Sequence, residues 1–229
     1  MAKGEIDVNE KKVVGEKAVE FIKDGMVVGL GTGSTVYYTI IKLGQLVKEG
    51  LSIKGIPTSL QTEELAKKVG IPLVHFKEIE QIDVAIDGAD EVDTHLDLIK
   101  GGGGALLREK IIAKAAKTFI VVVTPSKMVE TLGAFRLPVE VVPFGAELTE
   151  KHIRELGCDP YLRQLEGTPY KTDNGNYIID CVFSEISEAK RLEEKLNMLP
   201  GVVENGLFVG MSDIVISLDQ NKDVMLIKR

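Results

Sequence analysis

The sequence predicts an α/β fold: a doubly wound, mostly parallel, Rossmann-like sheet with a smaller ferredoxin-like α+β domain inserted. Three observations predict it. Short apolar runs, "MVVGLG" (26–31), "DVAIDG" (83–88) and "TFIVVVT" (118–124), alternate with segments of helical periodicity. Those runs are apolar throughout rather than at every second residue, the mark of parallel strands buried on both faces. After about residue 130 the rhythm changes to strand, helix, strand, strand, helix, strand, which is the ferredoxin-like order.

The elements follow in turn. In "NEKKVVGEKAVEFIKDG" (9–25), Val13, Val14, Ala18, Val19, Phe21 and Ile22 recur at near-helical spacing, and Gly25 is a plausible stop. "MVVGLG" reads as a buried strand, and "STVYYTIIKLGQLVKEG" (34–50) as a helix beginning near Ser34. "LSIKGIPTS" (51–59) is a strand, "LQTEELAKKVG" (60–70) a helix closed by Gly70, and "PLVHF" (72–76) and "DVAIDG" are further strands. "GALLREKIIAKAAK" (104–117) is a helix leading into "TFIVVVT". In the second part, "LPVEVVP" (137–143) is a strand, "GAELTEKHIRELG" (145–157) a helix and "YLRQLEG" (161–167) a strand. "TDNGN" (172–176) carries an Asn-Gly hairpin signal. It precedes the strand "YIIDCVFSEI" (177–186), the amphipathic helix "SEAKRLEEKLNMLPG" (187–201) and the strand "VVENG" (202–206). The tail from Leu207 reads as two or three strands with a turn at "DQNKD" (219–223), returning to the first sheet. The expected domains are therefore 1–130 plus 207–229, and 131–206.

Composition narrows the function. The 229 residues are 44% hydrophobic and 28% charged, enough apolar material for a proper core. Thirty-five acidic residues against 28 Lys and Arg argue against a general nucleic-acid binder, which carries a basic surplus. Cys158 and Cys181 lie far apart, and His75, His95 and His152 stand singly, so no zinc-type spacing exists. The polar opening "MAKGEIDVNEKKVV" has no apolar core of a secretory signal, and no apolar run approaches a membrane span. The expectation is a cytoplasmic protein with reduced thiols and no membrane or nucleic-acid partner.

Three loops carry chemistry. "GLGTGST" (29–35) follows a strand and opens a helix, where small residues, free amides and the positive end of the helix dipole suit an anion. A dinucleotide fingerprint fails, because Ser34 stands where the third glycine belongs and "IPTS" ends the second strand without a ribose-binding acid. No Gly-Lys-Ser/Thr follows, so a Walker loop fails too. "IDGADEVD" (86–93) sets Asp87 and Asp90 at the carboxyl end of a strand, where α/β sheets bind ligands. Carboxylates there can hold sugar hydroxyls or move their protons. Glu91 and Asp93 read as a solvated acidic turn, with Mg²⁺ ligation the competing role. "IKGGGGALLREK" (99–110) puts four glycines between Lys100 and a helix whose first turns hold Glu109. Its side chain, leaning toward the helix N-terminus, is directed to the space above the glycines; the alternative is an ordinary charged helix face. Together the loops predict a pocket for a phosphorylated, polyhydroxylated small molecule.

At these residues the chain resembles the type A ribose-5-phosphate isomerases. The likeness rests on "GLGTGST", "DGADEVD", "KGGGGALLREK", "TPSK" (124–127), "LPVEVVP", "TDNGN" and "PGVVENGLF" (200–208), in the family's order and spacing over nearly the whole chain. It implies interconversion of ribose 5-phosphate and ribulose 5-phosphate through a cis-enediolate in the pentose phosphate pathway. It also implies no metal or organic cofactor, and a homodimer or homotetramer. Position by position, Glu109 matches the family's catalytic base. Thr32, Gly33, Ser34 and Thr35, then Asp87, Gly88, Ala89 and Asp90, then Lys100, Gly101, Gly102 and Gly103 match its substrate-binding loops, and Lys127 a further substrate lysine. Asp87, Asp90 and Lys100 also join Glu109 as candidate catalytic groups: the acids for protons on hydroxyl oxygens, the lysine for enediolate charge. Two rival readings are an amino-sugar phosphate deaminase on a related scaffold and a non-catalytic sugar-phosphate sensor. The linked "DGADEVD" and "KGGGGALLREK" blocks favour the isomerase over the first. The acidic balance, and a first strand starting near residue 26 with no helix-turn-helix before it, weigh against the second.

Overall fold

The computed structural model of the protein describes residues 3–229. Its chain divides into two compact units.

The first unit holds the chain up to Ala89, then Arg108–Met128 and Met211–Arg229. Its apolar runs form a six-stranded sheet. In chain order the strands are β1 (Val27–Leu30), β2 (Lys54–Pro57), β3 (Ile82–Asp87), β6 (Ala116–Val122), β14 (Ile214–Leu218) and β15 (Val224–Lys228). Across the sheet the order is β15-β14-β6-β3-β1-β2. All pairs are parallel except β14 with β15, an antiparallel edge hairpin. Helices α1 (Lys3–Lys17), α2 (Val36–Lys48), α3 (Leu60–Val69) and α4 (Leu106–Ala115) accompany it. Strand alternation decides who packs where. Val28, Leu30, Val84, Ile86, Ile120 and Val122 form one core with Val14, Ile40, Leu43 and Ala66 from the first three helices. Gly29 and Ala85 face the other way, toward Ile112 of α4. The sheet is thus covered on both faces, as its unbroken apolar strands predict. Because β1 pairs with β2 on one side and β3 on the other, the order reverses there, and the loops after β1 and β3 flank the switch point.

The second unit comprises Asp90–Leu107 and Val129–Gly210. Its main sheet contains β7 (Leu137–Val141), β8 (Asp159–Leu162), β11 (Tyr177–Val182) and β12 (Val202–Asn205), in the antiparallel order β12-β7-β11-β8. With α5 (Ala146–Arg154) and α6 (Ala189–Asn197) this is the ferredoxin-like arrangement. Leu137, Val139, Val141, Ile179 and Cys181 make the core with Ala146, Ile153 and Leu196 of the helices.

The structure departs from expectation in four places. "PLVHF" is no strand: Leu73 makes a single bridge to Gly55, and the chain then turns, with the His75 amide donating to Glu78 Oε2. "YLRQLEG" is not one strand but β8 and β9 (Gln164–Leu165), separated at Arg163. The two-residue hairpin falls between β9 and β10 (Thr168–Pro169), where Glu166 and Gly167 take φ of 51° and 78°, the left-handed pair that such a turn requires. Finally, residues 90–107, 129–130 and 207–210 group with the second unit rather than the first. Their two-residue strands β4 (Glu91–Val92), β5 (Leu98–Ile99) and β13 (Leu207–Phe208) pair with one another and not with the large sheet.

Ile120 is fully buried at the middle of β6. Ile120→Ala is expected to lower unfolding free energy by about 2–5 kcal/mol, read by urea denaturation.

Candidate active site

Within the first unit, alternation carries past the strand ends. Gly31 and Asp87 continue the series of Gly29 and Ala85, so Asp87 leaves β3 on the α4 side. It is only 3% exposed. Its Oδ1 accepts the amides of Thr32, at 3.0 Å, and Gly88, at 2.7 Å. A Cβ at Gly31 would collide with this carboxylate, which explains the glycine at that position. Glu109 occupies the first turn of α4 and is 4% exposed. It packs with Asp87, Gly31 and Thr58 around one narrow crevice. The reading of Glu109 as an ordinary solvated helix face is thereby excluded.

The loop after β1 is built from hydroxyls. Thr32 Oγ1 lies 2.7 Å from both Thr58 Oγ1 and Ser59 Oγ, and 3.1 Å from Thr62 Oγ1. Thr62 Oγ1 donates to the Gly31 carbonyl at 2.8 Å, and Ser59 Oγ caps α3 by accepting the Thr62 amide. Thr32 therefore anchors the loop inward. Gly33 and Ser34 stay exposed and Thr35 half-buried, and α2 begins as the Tyr37 amide reaches the Gly33 carbonyl at 3.0 Å. The Gly33, Ser34 and Thr35 amides have no acceptor among the described residues, at the positive end of a 13-residue helix. Sequence reasoning does not reach Thr58, Ser59 and Thr62, although "TSLQT" carries the signal of an N-capping serine amid hydroxyl residues. Lys127, partly buried, closes the short 3₁₀ turn Pro125–Lys127 after β6.

The second unit holds Asp90, Lys100 and the glycine loop. Lys100 is 2% exposed; its amide donates to the Gly206 carbonyl at 2.9 Å, and its Nζ lies 5.4 Å from the Phe208 ring centre. Asp90 Oδ2 accepts the Gly102 amide at 2.7 Å, so close that a Cβ on Gly102 would strike the carboxylate. Gly101 and Gly104 take φ of 99° and 82°. Tyr170 packs against Gly104, and its hydroxyl donates to the Gly103 carbonyl at 3.5 Å. Burial pushes the Tyr170 phenol above its usual range, so it stays protonated and a donor at neutral pH. Gly103 is the exposed member of the four.

Glu91 and Asp93 correct an expectation. Neither is solvated: they are 4% and 8% exposed. Glu91 accepts the Gly133 and Phe135 amides at 2.8 and 2.5 Å, and Asp93 Oδ1 those of His95 and Asp97, both at 2.9 Å. Their carboxylates hold backbone, and among the described residues no group of three or more His, Cys, Asp or Glu is arranged to hold a metal ion. Nor is any described helix long and apolar enough to cross a membrane.

Comparison with known proteins gives the family and the fold. The family model described as ribose 5-phosphate isomerase A (phosphoriboisomerase A) matches residues 54–222. The chain is 53% identical over 205 residues to ribose-5-phosphate isomerase A of Bacillus mycoides, covering 89% of this chain and 93% of that one. To the protein of the same name from Listeria monocytogenes it is 51% identical over 223 residues, covering 97% and 100%. A solved D-ribose-5-phosphate isomerase in complex with phospho-erythronic acid superposes with a TM-score of 0.93 at 42% identity, over 96% of this chain and 98% of that one. The Methanocaldococcus jannaschii ribose 5-phosphate isomerase A gives 0.91 at 42% identity, over 96% and 99%.

Gly31→Ala drives a methyl group into the Asp87 carboxylate. Its unfolding free energy is expected to fall by about 1–3 kcal/mol in urea denaturation, since the atoms in the way are a short buried side chain and backbone.

Proposed function

This chain belongs to the ribose 5-phosphate isomerase A family, and from that premise we propose how its own residues perform the aldose–ketose isomerisation. The reaction interconverts ribose 5-phosphate and ribulose 5-phosphate, a step of the pentose phosphate pathway. The open-chain aldose must lose the proton on C2 and gain one on C1. One carboxylate can do both if the intermediate is a cis-enediolate lying with both carbons on one side of it. Glu109 takes this role. It is buried in the first turn of α4, shielded from bulk water.

The observation that supports the reading is the pairing of two buried carboxylates, Asp87 and Glu109, from different elements around one narrow crevice at the strand ends. With one carboxylate moving the carbon-bound proton, the second is available for the hydroxyl protons. Asp87, with Asp90, serves there and assists opening of the furanose ring. Lys100 and the amides of Gly101, Gly102 and Gly103 offset the negative charge that develops on the enediolate oxygens. The phosphate binds at the start of α2, on the amides and hydroxyls of Gly33, Ser34 and Thr35, with the Thr32 backbone in the same loop and Lys127 in support. Gly88 and Ala89 give the sugar close approach to main chain beside Asp87. Fixing the phosphate at one end and the carbonyl at the other holds the reacting carbons in register. This chemistry uses neither a metal ion nor an organic cofactor. The same reading makes the protein a cytoplasmic homodimer or homotetramer, the assembly that the family resemblance implies.

Glu109→Gln preserves shape and removes the base. In a coupled assay converting ribose 5-phosphate to ribulose 5-phosphate, its turnover is expected to drop about 10²–10⁴-fold. Binding of a substrate analogue should change little. Near-normal turnover would take Glu109 out of the mechanism.

A further inference from the structure

Arg163 carries no role so far, yet it touches the glycine loop directly. It stands at the break between β8 and β9, with its side chain 12% exposed. Asp180, at the middle of β11, is 1% exposed. Along β11, Ile179 and Cys181 enter the apolar core with α5 and α6, so alternation sends Asp180 to the opposite sheet face. There Arg163 Nε donates to Asp180 Oδ2 at 2.8 Å and Nη2 to Oδ1 at 2.5 Å, a bidentate pair that fixes the guanidinium plane. The remaining Nη1 donates to the Gly102 carbonyl at 3.1 Å and the Gly101 carbonyl at 3.3 Å. Tyr170 lies across the same group, its ring centre 5.7 Å from the guanidinium carbon.

A buried ion pair is a weak source of stability compared with an apolar filling of the same space. What this one supplies is direction. In a trans peptide the N–H points opposite to the C=O. With the Gly101 carbonyl on Arg163, the next amide, Gly102, points the other way, and it meets Asp90 Oδ2. With the Gly102 carbonyl on Arg163, the next amide is that of Gly103, the exposed glycine. It too must point away from the arginine, and positive charge on its peptide oxygen strengthens it as a donor.

We propose that Arg163, clamped by Asp180, is a positioning residue that locks the Gly101 and Gly102 carbonyls and thereby aims the Gly103 amide at the oxygens that become negative in the reaction. The proposal rests on the reading of the glycine loop as substrate-binding. Within the glycine loop Arg163 touches main-chain carbonyls only, and it acts through them.

Two variants test it. Arg163→Lys keeps a cation for Asp180 but cannot serve both carboxylate oxygens and both carbonyls. The double variant Arg163→Gln with Asp180→Asn leaves no stranded buried charge, and Arg136, whose Nε lies 3.8 Å from Asp180, remains nearby. For each, kcat, KM and amide hydrogen exchange over residues 101–104 are measured, with circular dichroism to confirm folding. The expected result is kcat lowered about 10–100-fold, short of the full loss of an oxyanion donor, with KM within about twofold and loop exchange accelerated. Unchanged kcat with unchanged exchange would overturn the positioning role while leaving the loop's assignment standing. Faster exchange with both kcat and KM unchanged would show a loosened loop that the reaction does not use, and would overturn the substrate-binding reading itself. A raised KM with unchanged kcat would overturn the aim at developing charge, and unfolding of both variants would reduce the pair to a structural tie.

Discussion

The carboxylate of Asp87 is the constraint on which the first unit's site depends. It sits at the end of β3 and accepts two backbone amides, one from its own loop and one from the loop after β1. Nothing larger than hydrogen fits at Gly31 beside it. These contacts tie the two loops flanking the sheet's reversal point into one piece, so a small-residue loop and an acidic loop that are more than 50 residues apart in sequence keep fixed spacing. The opposite wall follows from the same packing. Gly29 leaves Ile112 room to lie directly on the sheet, and that seats α4 with Glu109 in its first turn.

The second unit solves a different problem, which is how to hold a loop of four glycines still. Glycine loses the most backbone freedom on ordering, so such a loop needs external fixation. Asp90 takes the Gly102 amide, Arg163 takes two carbonyls, and Tyr170 approaches a third. The ferredoxin-like sheet is suited to this because its two faces differ. One is apolar beneath α5 and α6; the other buries two acids, Glu140 and Asp180. Glu140 Oε1 gathers Thr172 Oγ1, Asn174 Nδ2 and Asn176 Nδ2 at 2.9, 3.3 and 2.9 Å. That explains "TDNGN" better than a hairpin does: its side chains wrap a buried carboxylate, and the turn is local, closed by the Gly175 amide on the Thr172 carbonyl.

The large elements were legible because their periodicity is long enough to read. Six strands of the main sheet and four helices around them follow from apolar runs and glycine stops. The candidate site loops were legible because glycines and acids cluster at the strand ends. What the sequence hid has physical reasons. Strands of two residues, such as β4, β5 and β13, contain no period at all. Glu91 and Asp93 look locally like any acidic turn; the amides of Gly133 and Phe135 that bury Glu91 lie more than 40 residues downstream. The hydroxyl cluster around Thr32 joins two segments 26 to 30 residues apart, and only the fold brings them together. Arg163 was invisible for a related reason, since a lone arginine inside an apparent strand gives no hint that it breaks the strand or reaches a loop 61 residues away.

The central claim is that a single buried carboxylate, confined to one side of the substrate, moves the carbon-bound proton. Turnover of ribose 5-phosphate in D₂O, followed by NMR of the ribulose 5-phosphate formed, tests this most directly. One base on one face predicts solvent deuterium at only one of the two C1 hydrogen positions. Deuterium spread equally over both positions would require proton delivery from two faces, which one carboxylate held in the wall of a cleft cannot provide.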